Sequence, residues 1–116
     1  ISMCTPGTQW KDVHLKAAKV MAQGLHELKL LTISADEALS TNAISVFFPH
    51  GVGHMVGLRV RDVGGPYNPN PKKYAGARLR VDMTLEDNHL MTIEPGLYFI
   101  EALLHDAETR RNFGDQ

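Results

Sequence analysis

The sequence predicts an α+β fold in which helices come first and an antiparallel sheet follows. Two observations support this fold class. Residues 9–30 carry an apolar stripe with helical spacing, whereas most later segments alternate in polarity or are rich in β-branched and aromatic residues. With 116 residues, the chain has the length of a single domain. We therefore expect an antiparallel sheet.

The first half of the sequence contains two helical signatures. Apolar side chains recur every three or four positions through residues 9–30, which predicts an amphipathic helix with Thr8 as a candidate cap. His14 on this helix is expected at the surface or its boundary. The run Ser34-Ala35-Asp36-Glu37 is a capping box and predicts a short helix that ends near Ser40.

The remaining segments predict strands joined by a loop. Residues 78–85 alternate apolar and charged side chains, which is typical of a half-buried strand. Residues 44–48 are β-branched and aromatic, so they predict a strand or a buried lead-in to Pro49. Residues 90–93 predict a further strand, which Pro95-Gly96 interrupts and which resumes at 97–100. The other predictions are an extended segment at 54–63, a proline-rich loop at 66–76, and helical or irregular structure at 103–111.

Composition argues against several classes of function. Twelve Lys and Arg against 13 Asp and Glu give a formal net charge of −1, which provides no electrostatic footprint for nucleic acid or an anionic membrane. No apolar run approaches the ~20 residues of a membrane span, and no signal peptide is recognisable. The single cysteine, Cys4, fits a reducing compartment, so a cytoplasmic location is expected. Because the sequence opens without Met and closes without a terminating element, we expect a fragment.

The most informative motif is His50-Gly51-Val52-Gly53-His54. Histidine is the commonest metal ligand, and two interior glycines argue against a helix because each costs about 1 kcal/mol relative to alanine. In an extended segment, residues four apart lie roughly 13 Å from each other at ~3.3 Å per residue. Ligand atoms of one metal lie within about 4 Å. At most one of the two histidines is therefore expected to bind a given metal.

Glu94 and Arg80 are the other candidates for a binding or catalytic role. Glu94 follows the apolar run at 90–93, and it is either a solvated strand end or an oxygen ligand or general base. A site of histidine and carboxylate favours Mn, Fe, Co or Zn. The guanidinium of Arg80 can bind a carboxylate, such as the free end of a short peptide, through two parallel hydrogen bonds. A solvated strand face shared with Arg78 and Asp82 is the alternative for Arg80.

Taken together, several motifs resemble the C-terminal catalytic region of prolidases, the Xaa-Pro dipeptidases of the pita-bread metallopeptidase family. This family also contains methionine aminopeptidases and aminopeptidase P. The matching segments are residues 48–54, Gly57-Leu58, and residues 62–65 and 90–100. Leu79-Arg80 and residues 98–104 resemble the dipeptidase branch more closely than methionine aminopeptidases. The resemblance covers most of the chain and implies that it is part of a pita-bread fold, in which helices cover an antiparallel sheet.

The resemblance also implies a site chemistry. The family binds two divalent metals, often manganese, with zinc or cobalt as alternatives, through two aspartates, one histidine and two glutamates. His54 and Glu94 match two of these ligands, and Glu94 would also shuttle protons beside a metal-bridging hydroxide. His50 matches a pocket histidine with a catalytic and substrate-binding role. Arg80 matches the arginine that binds the dipeptide carboxylate. The implied substrate is a proline-containing dipeptide, and the implied full-length protein is a homodimer.

Two departures from the family pattern bear on activity. The two aspartates belong upstream and the last glutamate downstream, so residues 1–116 are expected to be a single partial catalytic domain that is inactive alone. Arg61 stands where the family usually has a histidine that contacts the substrate. An arginine stays protonated and cannot be a general base, but it can donate hydrogen bonds to a developing oxyanion. An exposed, salt-bridged Arg61 is the structural alternative.

Three hypotheses follow for the protein's function. The leading one is metal-dependent hydrolysis of Xaa-Pro dipeptides. The second is a catalytically impaired pita-bread module used for protein binding, which Arg61 favours. The third is a related hydrolase on the same scaffold that acts on another C–N bond or on a phosphotriester. Arg80 and residues 98–104 weigh against the C–N hydrolase and leave the phosphotriester reaction open.

Overall fold

A computed structural model of the chain describes residues 1–62, 64 and 69–105. Parts of three predicted segments lie outside these residues. They are the last residue of the extended segment 54–63, the first part of the loop 66–76, and most of the segment 103–111.

The first helix, α1, comprises Trp10–Glu27 and confirms the predicted amphipathic helix. The residues buried along one face include Trp10, Val13, Ala18 and Leu25. The helix ends earlier than expected because Lys29 adopts a left-handed conformation with φ of 61°. The prediction that Thr8 caps this helix is wrong. Gln9 is the N-cap and forms no side-chain capping bond, while the Thr8 carbonyl accepts the Leu85 N–H at 2.8 Å.

The second helix, α2, comprises Ala35–Ser40, and the predicted capping box is confirmed. The Ser34 hydroxyl accepts the Glu37 N–H at 3.2 Å. Of the two alternatives predicted for 44–48, the strand is wrong because Ala43–Val46 forms a 3₁₀ helix, and the buried lead-in to Pro49 is confirmed. Its apolar side chains are buried, and burial of a short apolar run is equally compatible with a strand or a helical turn.

The regular sheet of the described chain is one antiparallel hairpin of β1, Lys73–Tyr74, and β2, Ala77–Arg78. Ala75 and Gly76 connect the strands with φ of 47° and 82°, the conformation of a two-residue type I′ turn. The hairpin corrects the end of the predicted loop 66–76. Beyond β2, the predicted strand 78–85 keeps its alternation but not its regular pairing, with buried Leu79, Val81 and Leu85 and exposed Arg80 and Asp82.

A second, irregular pairing brings residues 52–56 beside residues 90–94 in antiparallel orientation. Met55 and Met91 form an isolated bridge. The N–H groups of Thr92 and Glu94 donate to the carbonyls of His54 and Val52 at 2.9 and 2.7 Å. The extended prediction therefore applies to the start of 54–63, and the chain bends at 57–61. Residues 97–100 form no strand; they precede α3, Glu101–Leu104.

The core lies between α1, α2 and the 3₁₀ helix, and it extends to the segment after β2. Its largest fully buried side chains include Trp10, Leu25, Ile44, Phe48 and Val81. Helices with a small antiparallel sheet agree with the predicted α+β class. Across the described residues, no helix has the length and apolar character needed to cross a bilayer.

Candidate metal and substrate site

One cleft of about 800 Å³ brings together the residues that the sequence singled out. Its walls come from the glycine-histidine motif, from the hairpin with the segment after it, and from residues 94–98. All of the predicted site residues line it, namely His50, His54, Arg61, Arg80 and Glu94.

His54 and Glu94 form a polar pair at the cleft wall. The His54 ring is buried, and its Nε2 lies 3.2 Å from Glu94 Oε1, whose side chain is half exposed. His54 Nδ1–H donates to the Met55 carbonyl at 2.9 Å, which fixes the tautomer because a carbonyl can only accept. In the neutral ring, Nε2 and the carboxylate therefore both present lone pairs. A proton or a cation shared between them would stabilise this arrangement.

Close backbone approach puts His54 and Glu94 together. The His54 N–H donates to Thr92 Oγ1 at 3.0 Å, and the Glu94 N–H donates to the Val52 carbonyl at 2.7 Å. A Cβ at Gly53 would overlap the Thr92 carbonyl oxygen. Glycine at position 53 is thus what allows these two segments to pair.

His50 has different partners from His54. His50 Nδ1–H donates to the Gly51 carbonyl at 2.8 Å, so Nε2 accepts the Tyr98 hydroxyl at 3.0 Å. The imidazole also packs edge-on against Phe48, with the ring centroids 5.1 Å apart. The expectation that this motif is not helical is confirmed. Tyr98 belongs to one of the segments that match the family, but the sequence does not predict its contact with His50, which is 48 positions away.

His14 lies beneath this wall and corrects the expectation of a surface position. Its side chain is completely buried, stacks on Phe48 with centroids 5.2 Å apart, and donates from Nε2–H to the Tyr74 carbonyl at 3.1 Å. Burial lowers the pKa of His14, nearby His50 lowers it further, and the bond to Tyr74 opposes the shift. His14 is therefore neutral at pH 7 and ties α1 to the hairpin.

Basic side chains also line the cleft. Lys73, Arg78, Arg80 and Arg61 line it and are exposed. Within the part of the chain that the structure describes, none of them forms an ion pair. Lys73 and Arg78 were not predicted as site residues, because isolated cations in a loop and on a strand face are ordinary surface features.

The donors present suit a divalent metal but do not complete a site. His54 Nε2 and the Glu94 carboxylate are typical nitrogen and oxygen ligands. Among residues 1–62, 64 and 69–105, however, no group of three or more His, Cys, Asp or Glu side chains is placed to hold a metal ion. The pair provides two donors, and further ligands would have to come from outside these residues.

Comparison with known proteins establishes the class of protein. The model of metallopeptidase family M24 matches residues 1–114, so this chain belongs to that family. It is 40% identical over 109 residues to an Xaa-Pro dipeptidase of Pseudoalteromonas atlantica, covering 90% of this chain. It is 44% identical over 103 residues to an Xaa-Pro dipeptidase of Marinobacter nauticus, covering 88% of this chain. These matches confirm the resemblance found from the motifs.

The chain spans only part of these relatives. The matches cover 25% of the Pseudoalteromonas protein and 24% of the Marinobacter protein. A further match, 39% identical over 103 residues, is to a protein of Sclerotinia sclerotiorum named "Probable Xaa-Pro aminopeptidase pepP", and it covers 89% of this chain and 19% of that protein. The relatives thus include both dipeptidase and aminopeptidase names.

Proposed function

We propose that this chain supplies part of the active site of a metal-dependent dipeptidase that cleaves Xaa-Pro dipeptides. The observation that carries the proposal is the 3.2 Å approach of His54 Nε2 to Glu94 Oε1 in a cleft that Arg80 also lines. Membership in a metallopeptidase family supports the reaction class. On this proposal, residues 1–116 are a partial catalytic domain of pita-bread architecture.

His54 and Glu94 would hold the metal ions. The donor chemistry suits manganese, with zinc or cobalt as alternatives, and a pair of ions would need two aspartates and a second glutamate from outside this chain. When bound, divalent ions polarise the scissile carbonyl and activate water as a nucleophile at neutral pH. Because the described residues offer two donors, the 116-residue chain alone is expected to bind metal weakly and to be inactive.

The protein's own side chains would divide the remaining work. The half-exposed carboxylate of Glu94 can exchange a proton with a group in the cleft. His50 would line the substrate pocket, with its ring held by Tyr98 and Gly51. Arg80 would bind the proline carboxylate through two parallel hydrogen bonds. Arg61 would donate hydrogen bonds to the oxyanion that forms as the carbonyl is attacked.

The substrate is proposed to be a dipeptide because Arg80 at the cleft suits a free carboxylate one residue from the scissile bond. An aminopeptidase acting on longer peptides would not present a carboxylate at that place. For the full-length protein we propose a homodimer in the cytoplasm, and the single cysteine fits that reducing compartment.

The direct test is hydrolysis of Gly-Pro by the full-length protein with manganese. We expect Glu94→Gln to lower kcat by about 10²–10⁴-fold, the usual contribution of a general acid or base. Glu101→Gln is the matched control, because Glu101 is exposed and does not line the cleft; it should keep wild-type activity. Manganese-loaded wild-type protein that cleaves no Xaa-Pro dipeptide would refute the proposal.

A catalytically impaired module used for protein binding is the second candidate. The specific observation in its favour is Arg61, an exposed and permanently charged side chain at the cleft. This candidate predicts that the wild-type protein is inactive and that Arg61→His gains manganese-dependent activity on Gly-Pro. An active wild type that loses activity in Arg61→His would instead assign Arg61 to the catalytic site.

A further inference from the structure

Lys73 and Arg78 face each other across the β-hairpin. They are register partners on β1 and β2, and both are exposed and line the cleft. Like charges directly opposite on neighbouring strands repel each other. A bound anion between these two side chains would remove that repulsion.

The hairpin holds these two cations in place because its other face is anchored to the core. The turn residue Ala75 is buried, and a Cβ at Gly76 would lie 2.5 Å from the Ser45 side chain. The Tyr74 carbonyl accepts the buried His14 Nε2–H at 3.1 Å. The Tyr74 hydroxyl donates to Asp82 at 3.1 Å. Lys73 and Arg78 are therefore presented at the cleft by a fixed backbone.

The charge of the cleft differs from that of the chain. The whole sequence has slightly more acidic than basic side chains, 13 against 12. The described residues lining the cleft include four Lys or Arg and, as the sole carboxylate, Glu94. Arg78 and Arg80 both line the cleft and are two residues apart in the chain, so their Cα atoms are at most about 7 Å apart. This spacing suits a ligand with two separated negative charges.

We propose that Lys73 and Arg78 form an anion subsite for an acidic first residue, so that Glu-Pro and Asp-Pro are preferred dipeptides. This inference rests on the proposed function for the reaction. Arg80 takes the proline carboxylate, and the side-chain carboxylate of the first residue lies between Lys73 and Arg78. Adjacent Cα atoms are about 3.8 Å apart, and the glutamate side chain extends over the remaining distance. Hydrolysis consumes one water and releases glutamate and proline.

The test compares kcat/KM for Glu-Pro with that for its neutral isostere Gln-Pro in the full-length, manganese-loaded protein. We expect a preference for Glu-Pro of about tenfold, since a single close ion pair in water is worth about a factor of five. The preference should shrink at ~1 M salt, where the Debye length falls to about 3 Å. The double variant Lys73→Gln/Arg78→Gln should bring the ratio close to one.

The matched control removes the same charges outside the cleft. Lys72 and Arg59 are exposed and do not line it, so Lys72→Gln/Arg59→Gln should leave the ratio unchanged. Equal kcat/KM for the two dipeptides in the wild type would overturn the subsite. A preference that survives in Lys73→Gln/Arg78→Gln, or that disappears equally in the control, would also overturn it.

A binding measurement separates this inference from the proposed function. Calorimetric titration of the full-length protein with Glu-Pro and Gln-Pro needs no turnover. Tighter binding of Glu-Pro that is lost in Lys73→Gln/Arg78→Gln, with no hydrolysis of either dipeptide, would refute the dipeptidase and support the anion subsite. Hydrolysis of both dipeptides without any binding preference would support the dipeptidase and refute the anion subsite.

Discussion

The helical region of residues 10–48 and the cleft region of residues 49–105 differ in how they are held together. In the helical region, the side chains of Trp10, Leu25 and Ile44 are no more than 1% exposed. In the cleft region, Leu58 and Val60 are 103% and 80% exposed. Most of the largest fully buried side chains thus lie in the helical region, and the same core extends to Val52 and Val81 of the cleft region. The cleft region carries the site and leaves apolar surface uncovered.

Backbone hydrogen bonding differs in the same way. The helix α1 is one continuous element of 18 residues, whereas the cleft region has a hairpin of two-residue strands and isolated bridges. The candidate metal-binding and substrate-binding residues lie where the backbone is least regular. Their positions depend on a few close contacts, such as that of Gly53 with Thr92, and not on a long series of backbone hydrogen bonds between strands.

Replacing a leucine by alanine in each region tests the contrast in burial and should give the greatest change in stability. Leu25→Ala should lower the free energy of unfolding by about 2–5 kcal/mol, because it empties a fully buried site. Leu58→Ala should change it by less than about 0.5 kcal/mol. Urea denaturation of the 116-residue chain measures both. Equal losses of unfolding free energy in the two variants would show that the two leucines are buried to the same extent. A large loss for Leu58→Ala in the full-length protein alone would mean that other segments cover the cleft region there.

The next effect compares two glycines, one in each region. Gly53→Ala should destabilise the chain by about 1–3 kcal/mol, because the new Cβ would overlap the Thr92 carbonyl. Gly24→Ala should stabilise it by about 0.5–1 kcal/mol, since Gly24 lies inside α1 with open space around it. Thermal or urea unfolding gives the two signs. If Gly53→Ala proved neutral, the close pairing that positions His54 and Glu94 would not be needed.

The smallest effect concerns His14, which joins the two regions. Burial lowers its folded pKa below 6.5, so the unfolded state binds more protons as the pH falls. Stability should be full above pH 6.5 and decline below it until the lowered folded pKa is reached. His14→Gln keeps a donor for Tyr74 and removes the titrating group, so the slope of unfolding free energy between pH 7 and 5 should flatten. An unchanged slope would show that His14 does not cause the pH dependence of the unfolding free energy.

Much of the helical region could be predicted from the sequence because its signals are local. The apolar period of α1 and the capping box at Ser34 involve residues within a few positions of each other. The strand prediction at 44–48 failed because a short buried apolar run has no distinguishing period. The Thr8 cap failed because Thr8 pairs with Leu85, which is distant in sequence.

The site was harder to predict because its contacts join distant residues. Glycine content and strand geometry indicated that His50 and His54 act separately, and their different partners agree with this. The approach of Glu94 to His54 depends on the register between 52–56 and 90–94, which is set by tertiary contacts. The residue types suggested a site of histidine and carboxylate, and only the resemblance to prolidases chose His54 as the partner of Glu94. The hairpin that brings Lys73 and Arg78 to the cleft depends on an Ala-Gly turn, which is a weak signal beside Asn-Gly.

We propose that His54, and not His50, binds metal with Glu94. Manganese affinity of the full-length protein, measured by electron paramagnetic resonance of the free ion, tests this claim directly. We predict that His54→Gln weakens manganese binding by more than about 100-fold, beyond the 10–100-fold typical of residues that only support a ligand. His50→Gln should change the affinity by about twofold or less. Equal affinities for wild type and His54→Gln, or a greater loss in His50→Gln, would show that His54 is not the metal ligand.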